Sequence, residues 1–201
     1  MTPFAFPSVD GVRFSMVGEP LFFDLTDSPF GRVGLAWTDR DGVFKVLRVF
    51  LPTQDTPMAD HIRRSLPGSK RQSSEASGLI LEGIRRMLRG RVLEYNLSVL
   101  NLEACTDFQR RVLLEDRKIP RGKASTYAKI AGRVGQPKGA RAVGSALAAN
   151  PFPLLIPCHR VVRSDGELGG FQSGPQMKKA LLEMEGVRFD PAGRVEPSFL
   201  W

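Results

Sequence analysis

Residues 125–149 constrain the fold of this chain more than any other stretch. Ser125-Thr126 can cap a helix whose apolar positions, Tyr127, Ile130, Ala131 and Val134, follow i, i+3, i+4, i+7 spacing, with Lys129 and Arg133 opposite. Gly135-Gln136-Pro137-Lys138 breaks that helix, and Gly139–Ala149 resumes one, with Val143 and Leu147 a turn apart. Two short helices around such a turn form a helix-turn-helix, although many αα-corners of this kind bind nothing. The second helix is short of donors for base edges: Ala140, Ala142, Gly144, Ser145, Ala146, Ala148 and Ala149 dominate it. Side chains this small let a helix backbone approach closely either another helix or the narrow minor groove of DNA. Arg141 is the one long polar residue among them, able to fill the gap left by an extruded base or simply to be exposed.

The charge distribution favours a polyanionic partner. The net charge is +8, and residues 104–189 carry it, with 15 Lys+Arg against 7 Asp+Glu; residues 1–103 carry 13 against 12. Residues 117–164 hold ten basic side chains and no acidic one. A charge run is usually a solvated face, but an acid-free stretch within folded sequence is the footprint of nucleic-acid binding. No apolar run reaches transmembrane length and no signal peptide is visible at the N-terminus. Two cysteines, Cys105 and Cys158, are too few for a disulfide scaffold, so a reduced, cytoplasmic setting is expected.

The first half reads as an α+β scaffold domain, 1–103, with a small antiparallel sheet. Strands are expected at 12–16, Leu21–Leu25, Arg32–Thr38 and Val43–Phe50, with Asp39-Arg40-Asp41-Gly42 as a hairpin turn. Pro67–Ser77 reads as a loop. Ile80, Ile84, Met87 and Leu88 mark a helix ended by Gly90, and Leu93, Tyr95, Leu97 and Val99 alternate as a half-buried strand. Nothing here looks catalytic. A second, mainly helical, winged-helix-like domain is expected at 104–189. It opens with Thr106-Asp107-Phe108-Gln109 in capping-box form, Gln109 reaching back, on a helix running to about Lys118 and stopped by Pro120. Residues 190–201 form a tail that either docks through Phe199, Leu200 and Trp201 or stays loose.

Reactive chemistry points to Leu155-Ile156-Pro157-Cys158-His159-Arg160-Val161-Val162. On composition alone Cys158, after an apolar run, reads as a buried core cysteine rather than a nucleophile. Its neighbours argue for a nucleophile: a thiolate is the reactive form, and positive charge or a histidine partner lowers a thiol below its usual pKa of about 8.5. On a regular strand Cys158 and His159 would face opposite ways, so the chemistry requires irregular backbone, which Pro157 favours. Glu185, at the end of a helix over Pro175–Glu185, is the acid available to orient the imidazole. Cys105, Cys158, His61 and His159 would be the minimum for zinc, but their spacing matches no finger or knuckle. A papain-like hydrolase fits no better, because its Cys and His lie far apart in sequence.

These motifs, taken in order, resemble the O6-alkylguanine-DNA alkyltransferase family. Thr106–Gln109, Ile119-Pro120-Arg121-Gly122, Ser125-Thr126-Tyr127, Pro137–Gly144, Asn150-Pro151, Pro157–Val162, Gly166, Gly169 and Leu181–Gly186 each look like a family motif. The resemblance implies direct reversal of DNA damage. Cys158 would displace the alkyl group from O6 of guanine, or from O4 of thymine, and keep it as a thioether in a single turnover without cofactor or metal. His159 would take the Cys158 proton through a water, Glu185 would orient His159, Tyr127 would protonate the departing purine at N3, and Asn150 would brace the turn.

The same resemblance assigns the binding surfaces. Thr126, Gly139, Ala140, Ala142, Gly144 and Ser145 would meet the minor groove, Arg141 would enter the stack, and Pro157, Val161, Phe171, Gln172 and Ser173 would form the substrate pocket, with backbone near Cys158 and Val161 reading the guanine edge. The partner would be double-stranded DNA carrying O6-alkylguanine, bound by a monomer, with no membrane. Phe171-Gln172-Ser173-Gly174 departs from the family's usual Tyr followed by small residues, and Pro175-Gln176-Met177 from its usual helix start, which bears on substrate range more than reaction type. A non-catalytic damage-binding module and a transcription-type DNA binder are the competing readings.

Overall fold

The computed structural model describes residues 20–53, 56–92 and 95–201. It divides into two compact units, with the boundary between Cys105 and Thr106. The architecture is α+β.

In the first unit β1 (Phe22–Ser28), β2 (Gly31–Arg40) and β3 (Val43–Phe50) form an antiparallel meander. Asp41 and Gly42 both take positive φ, 53° and 79°, in the tight turn between β2 and β3, the geometry that suits right-twisted strands. β2 is central and its run Val33–Thr38 is buried throughout. Phe23, Ala36, Leu47 and Phe50 pack with Met58, Ile62 and Leu66 into the core of this unit. A side chain at Gly34 would meet Ile62 Cδ1 at 2.5 Å, so glycine is what lets a helix lie on the sheet here.

That helix, α1 (Met58–Ser65), was not expected; only Met58 and Ile62 mark its buried stripe, and no side chain caps it. The segment read as a loop, 67–77, contains β4 (Lys70–Arg71), which pairs parallel to β1 and makes the sheet order β3-β2-β1-β4. It also contains the start of α2 (Glu75–Met87), where Ser74 and Ser77 form a capping box. The strand expected from Tyr95 to Val99 is instead a 3-10 turn, Leu97–Val99, capped by Asn96; the Asn96 side chain takes the Ser98 amide that a ladder would need. The strand at 12–16 and the position Leu93 lie outside the described residues.

The second unit opens with α3 (Asp107–Asp116), capped by the Thr106 hydroxyl, which accepts from the Gln109 amide at 3.2 Å. Gln109 does not reach back. Its Nε2 donates to the Ala146 and Ala149 carbonyls, at 3.3 and 2.9 Å, tying α3 to the end of another helix. β5 (Ser125–Thr126) leads directly into α4 (Tyr127–Arg133); Gly135, at φ 75°, ends that segment, and α5 (Ala140–Ala148) completes the helix-turn-helix. β6 (Val161–Val162) pairs parallel to β5, Ser125 with Val161 and Thr126 with Val162. This two-residue ladder positions the site: it brings the start of α4 beside the turn preceding β6. α6 (Gly174–Met184) closes the unit with Leu182 in a core with Ala124, Val162, Val187 and Val195.

The segment 190–201 is docked. Ala124 N–H donates to Phe199 O and Trp201 N–H to Ala124 O, at 2.9 and 2.7 Å, extending the edge of β5.

Candidate active site

Ile156–Val161 is built on constrained backbone. Leu154 takes φ 72°, unusual for a branched residue, and Cys158–Arg160 form a 3-10 turn behind Pro157. Asn150 is completely buried and holds this loop closed: its Oδ1 accepts from Phe152 N–H at 2.9 Å and its Nδ2 donates to Ile156 O at 3.1 Å. The irregular backbone that Cys158 and His159 require is therefore present, braced by the expected residue.

Cys158 lies on an open cleft of about 840 Å³, also lined by Tyr127, Ala140, Arg141, Gly144, Leu147, Ala148, Phe171 and Gln172. The sulfur is not preionised. Burial pushes the thiol up to about 12, and Asp116 adds to it, against smaller opposing effects from Asn150 and Lys178. This corrects the expectation of a resting thiolate: burial, which sequence does not display, outweighs the cations adjacent in the chain.

His159 and Glu185 meet as expected. His159 Nε2 lies 3.1 Å from Glu185 Oε1. Burial lowers the imidazole's pKa, although Glu185 works in the opposite direction. Burial also acts to raise Glu185, but hydrogen bonds from His159 and Arg160 outweigh it and bring the carboxylate to about 2. An ionised carboxylate only accepts, so Nε2 carries the hydrogen and the lone pair sits on Nδ1. Nδ1 is buried and has no hydrogen-bond partner in the protein. The site thus presents a neutral, oriented imidazole.

Arg160 was noted in the motif without a role. Its guanidinium grips Glu185 with two parallel bonds, Nε to Oε2 at 2.7 Å and Nη2 to Oε1 at 2.8 Å, and donates to Ile119 O at 2.8 Å. Sequence reading missed Lys178 altogether. This lysine is completely buried, and its ammonium donates to the carbonyls of Val161, Leu168 and Gly170 at 2.6, 2.5 and 3.2 Å.

Tyr127 stands at the N-terminus of α4. A Cβ at Gly169 would come within 3.0 Å of its hydroxyl, so that glycine, at φ 67°, makes room for it. Burial raises the phenol's pKa, with Cys158 and Asp116 contributing, so it keeps its proton. Gln172 donates from Nε2 to the Ala148 and Asn150 carbonyls, at 3.1 and 2.9 Å, latching one wall of the cleft to the end of α5.

Other expected site residues sit elsewhere. Pro157 and Val161 are buried and do not line the cleft, and Ser173 lies at the start of α6, off its wall. The Val161 carbonyl already accepts from Lys178. Thr126, placed at the DNA by resemblance, is buried, because its hydroxyl caps α4 by accepting from Lys129 N–H at 3.2 Å. On α5, Arg141, Ala142 and Ser145 are exposed, and Gly139 is its N-cap. The basic stretch is partly spent within the protein: Lys118, Arg133, Arg160 and Arg163 are ion-paired, and Arg133 also stacks 3.7 Å over the Trp201 ring. Among the described residues, no three His, Cys, Asp or Glu side chains are grouped to hold a metal ion, and no helix is long and apolar enough to cross a membrane.

Comparison with known proteins agrees with this geometry. Residues 107–187 match the family model described as 6-O-methylguanine DNA methyltransferase, DNA binding domain. A methylated-DNA–protein-cysteine methyltransferase of Methanothermobacter thermautotrophicus is 41% identical over 167 residues, covering 81% of this chain and 84% of that protein. The Mycobacterium tuberculosis protein of the same name is 36% identical over 162 residues, covering 81% and 90%. A crystal structure of M. tuberculosis OGT in complex with DNA superposes with a TM-score of 0.66 at 28% identity, covering 82% of this chain and 92% of that one. The O6-methylguanine-DNA methyltransferase of Pyrococcus kodakaraensis gives 0.60 at 27%, covering 83% and 99%. The chain belongs to the methylated-DNA–protein-cysteine methyltransferase family.

Proposed function

We propose that this protein repairs DNA by direct reversal, transferring a methyl or larger alkyl group from O6 of guanine to Cys158 once per molecule. The observation that carries this reading is Cys158 on the wall of the cleft, followed in the chain by an imidazole bonded to Glu185, which Arg160 anchors. The S–C bond forms as the C–O6 bond breaks in line, and the thioether remains on the protein. Because the resting sulfur is a thiol, its proton leaves as the substrate enters, through water to Nδ1 of His159. The Tyr127 hydroxyl supplies a proton to N3 of the departing purine, which balances the charge on the base.

The target atom is inaccessible within a duplex, so the nucleotide is extruded first, at a cost of a few kcal/mol. The exposed, small-residue surface of α5 suits the minor groove, which carries little sequence information, as damage at any guanine requires. Arg141 borders the cleft mouth and takes the flipped base's place. The working unit is a monomer in a reducing, cytoplasmic setting, and neither cofactor nor metal takes part.

Incubation with a duplex containing O6-methylguanine is expected to leave one methyl group on the peptide carrying Cys158, read by intact and peptide mass. Tight, lesion-selective binding with Cys158 unmodified would reject this reading in favour of a damage-binding module. Arg141→Ala is expected to slow repair of the duplex roughly tenfold to a hundredfold, the scale of an extrusion cost, while reaction with free O6-benzylguanine changes less than about twofold. Equal losses on both substrates would show that Arg141 is not an extrusion device.

A further inference from the structure

Asp116, the last residue of α3, is completely buried, and neither carboxyl oxygen has a hydrogen-bond partner in the protein. The groups that could neutralise it are directed elsewhere. Lys178 gives its ammonium hydrogens to three carbonyls. Arg160 turns to Glu185 and to Ile119 O. On the same helix, Glu115 takes Lys118 and Arg133. α3 packs against the 3-10 turn that carries Cys158 and against α4, which opens with Tyr127, and the charges of both groups are coupled to Asp116.

A helix C-terminus is the negative end of the helix dipole and disfavours an anion. An unpaired carboxylate in the interior costs several kcal/mol. Both effects favour the neutral acid. Burial accordingly raises the Asp116 carboxyl to about 8, with Arg160 and Lys178 pulling the other way. Its charge and that of the sulfur oppose each other, so the two sites titrate as a coupled pair. None of the transfer steps uses this residue.

We propose that Asp116 is a positioning residue acting through Cys158: while it holds its proton it leaves the sulfur free to give up its own, and when it ionises it opposes that loss. The proposal rests on Cys158 as the alkyl acceptor but can be tested without an alkylated base. The sign is set by linkage. Below about pH 8 Asp116 is neutral and leaves the thiol–thiolate balance of Cys158 untouched; above it the carboxylate shifts that balance further towards the thiol.

The test compares the full-length protein with Asp116→Asn, which has the same shape and no charge, by the rate of Cys158 alkylation by iodoacetamide between pH 6 and 10, read by peptide mass. A simple thiol gains about tenfold in rate per pH unit below its pKa. Asp116→Asn is expected to keep that slope, and the unsubstituted protein to flatten above pH 8. The two should agree within about twofold at pH 6.5 and differ by roughly fivefold or more at pH 9.5. Methyl transfer from the O6-methylguanine duplex should show the same split. Parallel profiles, or a variant slower at every pH, would overturn the proposal and leave Asp116 with a packing role.

Carbon-13 NMR of the unsubstituted protein is a check that no variant's folding can compromise. One aspartate carboxyl should titrate above pH 7; if every aspartate titrates below pH 5, the proposal fails. A protein that showed the iodoacetamide split yet never accepted methyl would instead sink the transferase reading and leave the coupling standing.

Discussion

Glu185→Gln is expected to reduce methyl transfer to Cys158 by roughly a thousandfold, because a neutral amide cannot both anchor Arg160 and hold the His159 imidazole. The native carboxylate accepts from His159 Nε2 and, with both oxygens, from Arg160. A glutamine amide has one accepting oxygen and one donating nitrogen. Oε1 faces both His159 and Arg160, and Oε2 faces Arg160, which has nothing to accept with, so either orientation of the amide sets its nitrogen against the guanidinium. The clash and the lost charge release His159 from the arrangement that keeps the hydrogen on Nε2 and leaves the Nδ1 lone pair free for the Cys158 proton. The comparable aspartate-to-asparagine change in a serine-protease triad costs about 10⁴. Rapid-quench single-turnover rates measure the loss, and a variant within tenfold of the unsubstituted protein would show that His159 is not the base.

The same substitution carries a stability signature. Glu185 is held near 2 against an ordinary 4.5. A depressed carboxylate stabilises the fold fully above its unfolded pKa, and that contribution is lost as pH falls from about 4.5 towards 2. The difference corresponds to about 3 kcal/mol, similar to the cost of leaving a buried guanidinium without its anion. Urea unfolding at pH 6 and at pH 3 should therefore show Glu185→Gln less stable at pH 6, with the gap narrowing at pH 3.

Local signals were legible in the sequence and tertiary ones were not. The helix-turn-helix could be read because each of its parts is local: a threonine cap, an apolar stripe and a Gly–Pro break. β3 was legible to the residue, its turn marked by Asp41-Gly42. By contrast, α1 has only two buried apolar residues, a pattern too sparse to separate from a loop. β4 exists only because β1 is there to pair with it. The alternation around Tyr95–Val99 was genuine, but a local Asn96 cap captured the backbone first. Gln109 had the right spacing for a capping box, yet the unsatisfied carbonyls at the end of α5 drew its amide away.

In the site, Cys158, His159, Glu185, Asn150 and Tyr127 were found as a motif, and the structure brings His159 and Glu185 together with Arg160. The charge state of Cys158 was misjudged because desolvation depends on what covers the sulfur. Asp116 and Lys178 carried no local sign at all. Each looks like an ordinary charged helix residue, and only a count of where their hydrogens and oxygens go separates them from the solvated majority.

Lys178→Met is expected to destabilise the second unit by about 2–4 kcal/mol. The replacement matches the stem in length and has no polar end, so packing is nearly conserved and the hydrogen bonds are removed. Three carbonyls lose their donor: Val161 at the start of β6, and Leu168 and Gly170 on the loop that makes room for Tyr127. The buried Val161 acceptor left bare costs about 1–3 kcal/mol and the part-buried Leu168 and Gly170 acceptors less, offset in part by no longer burying an ammonium, which burial already lowers to about 8. Val161 follows the Cys158–Arg160 turn directly, and the loop carries one wall of the cleft. Partial loosening should therefore lower the methyl-transfer rate even where the protein remains folded. Urea unfolding, paired with single-turnover rates at 10 °C, measures the two effects separately. A variant as stable as the unsubstituted protein would mean that these carbonyls find other donors and that the buried ammonium is no structural tie. Retained stability with lost transfer would instead place Lys178 in the electrostatics of Cys158, whose thiol it lowers.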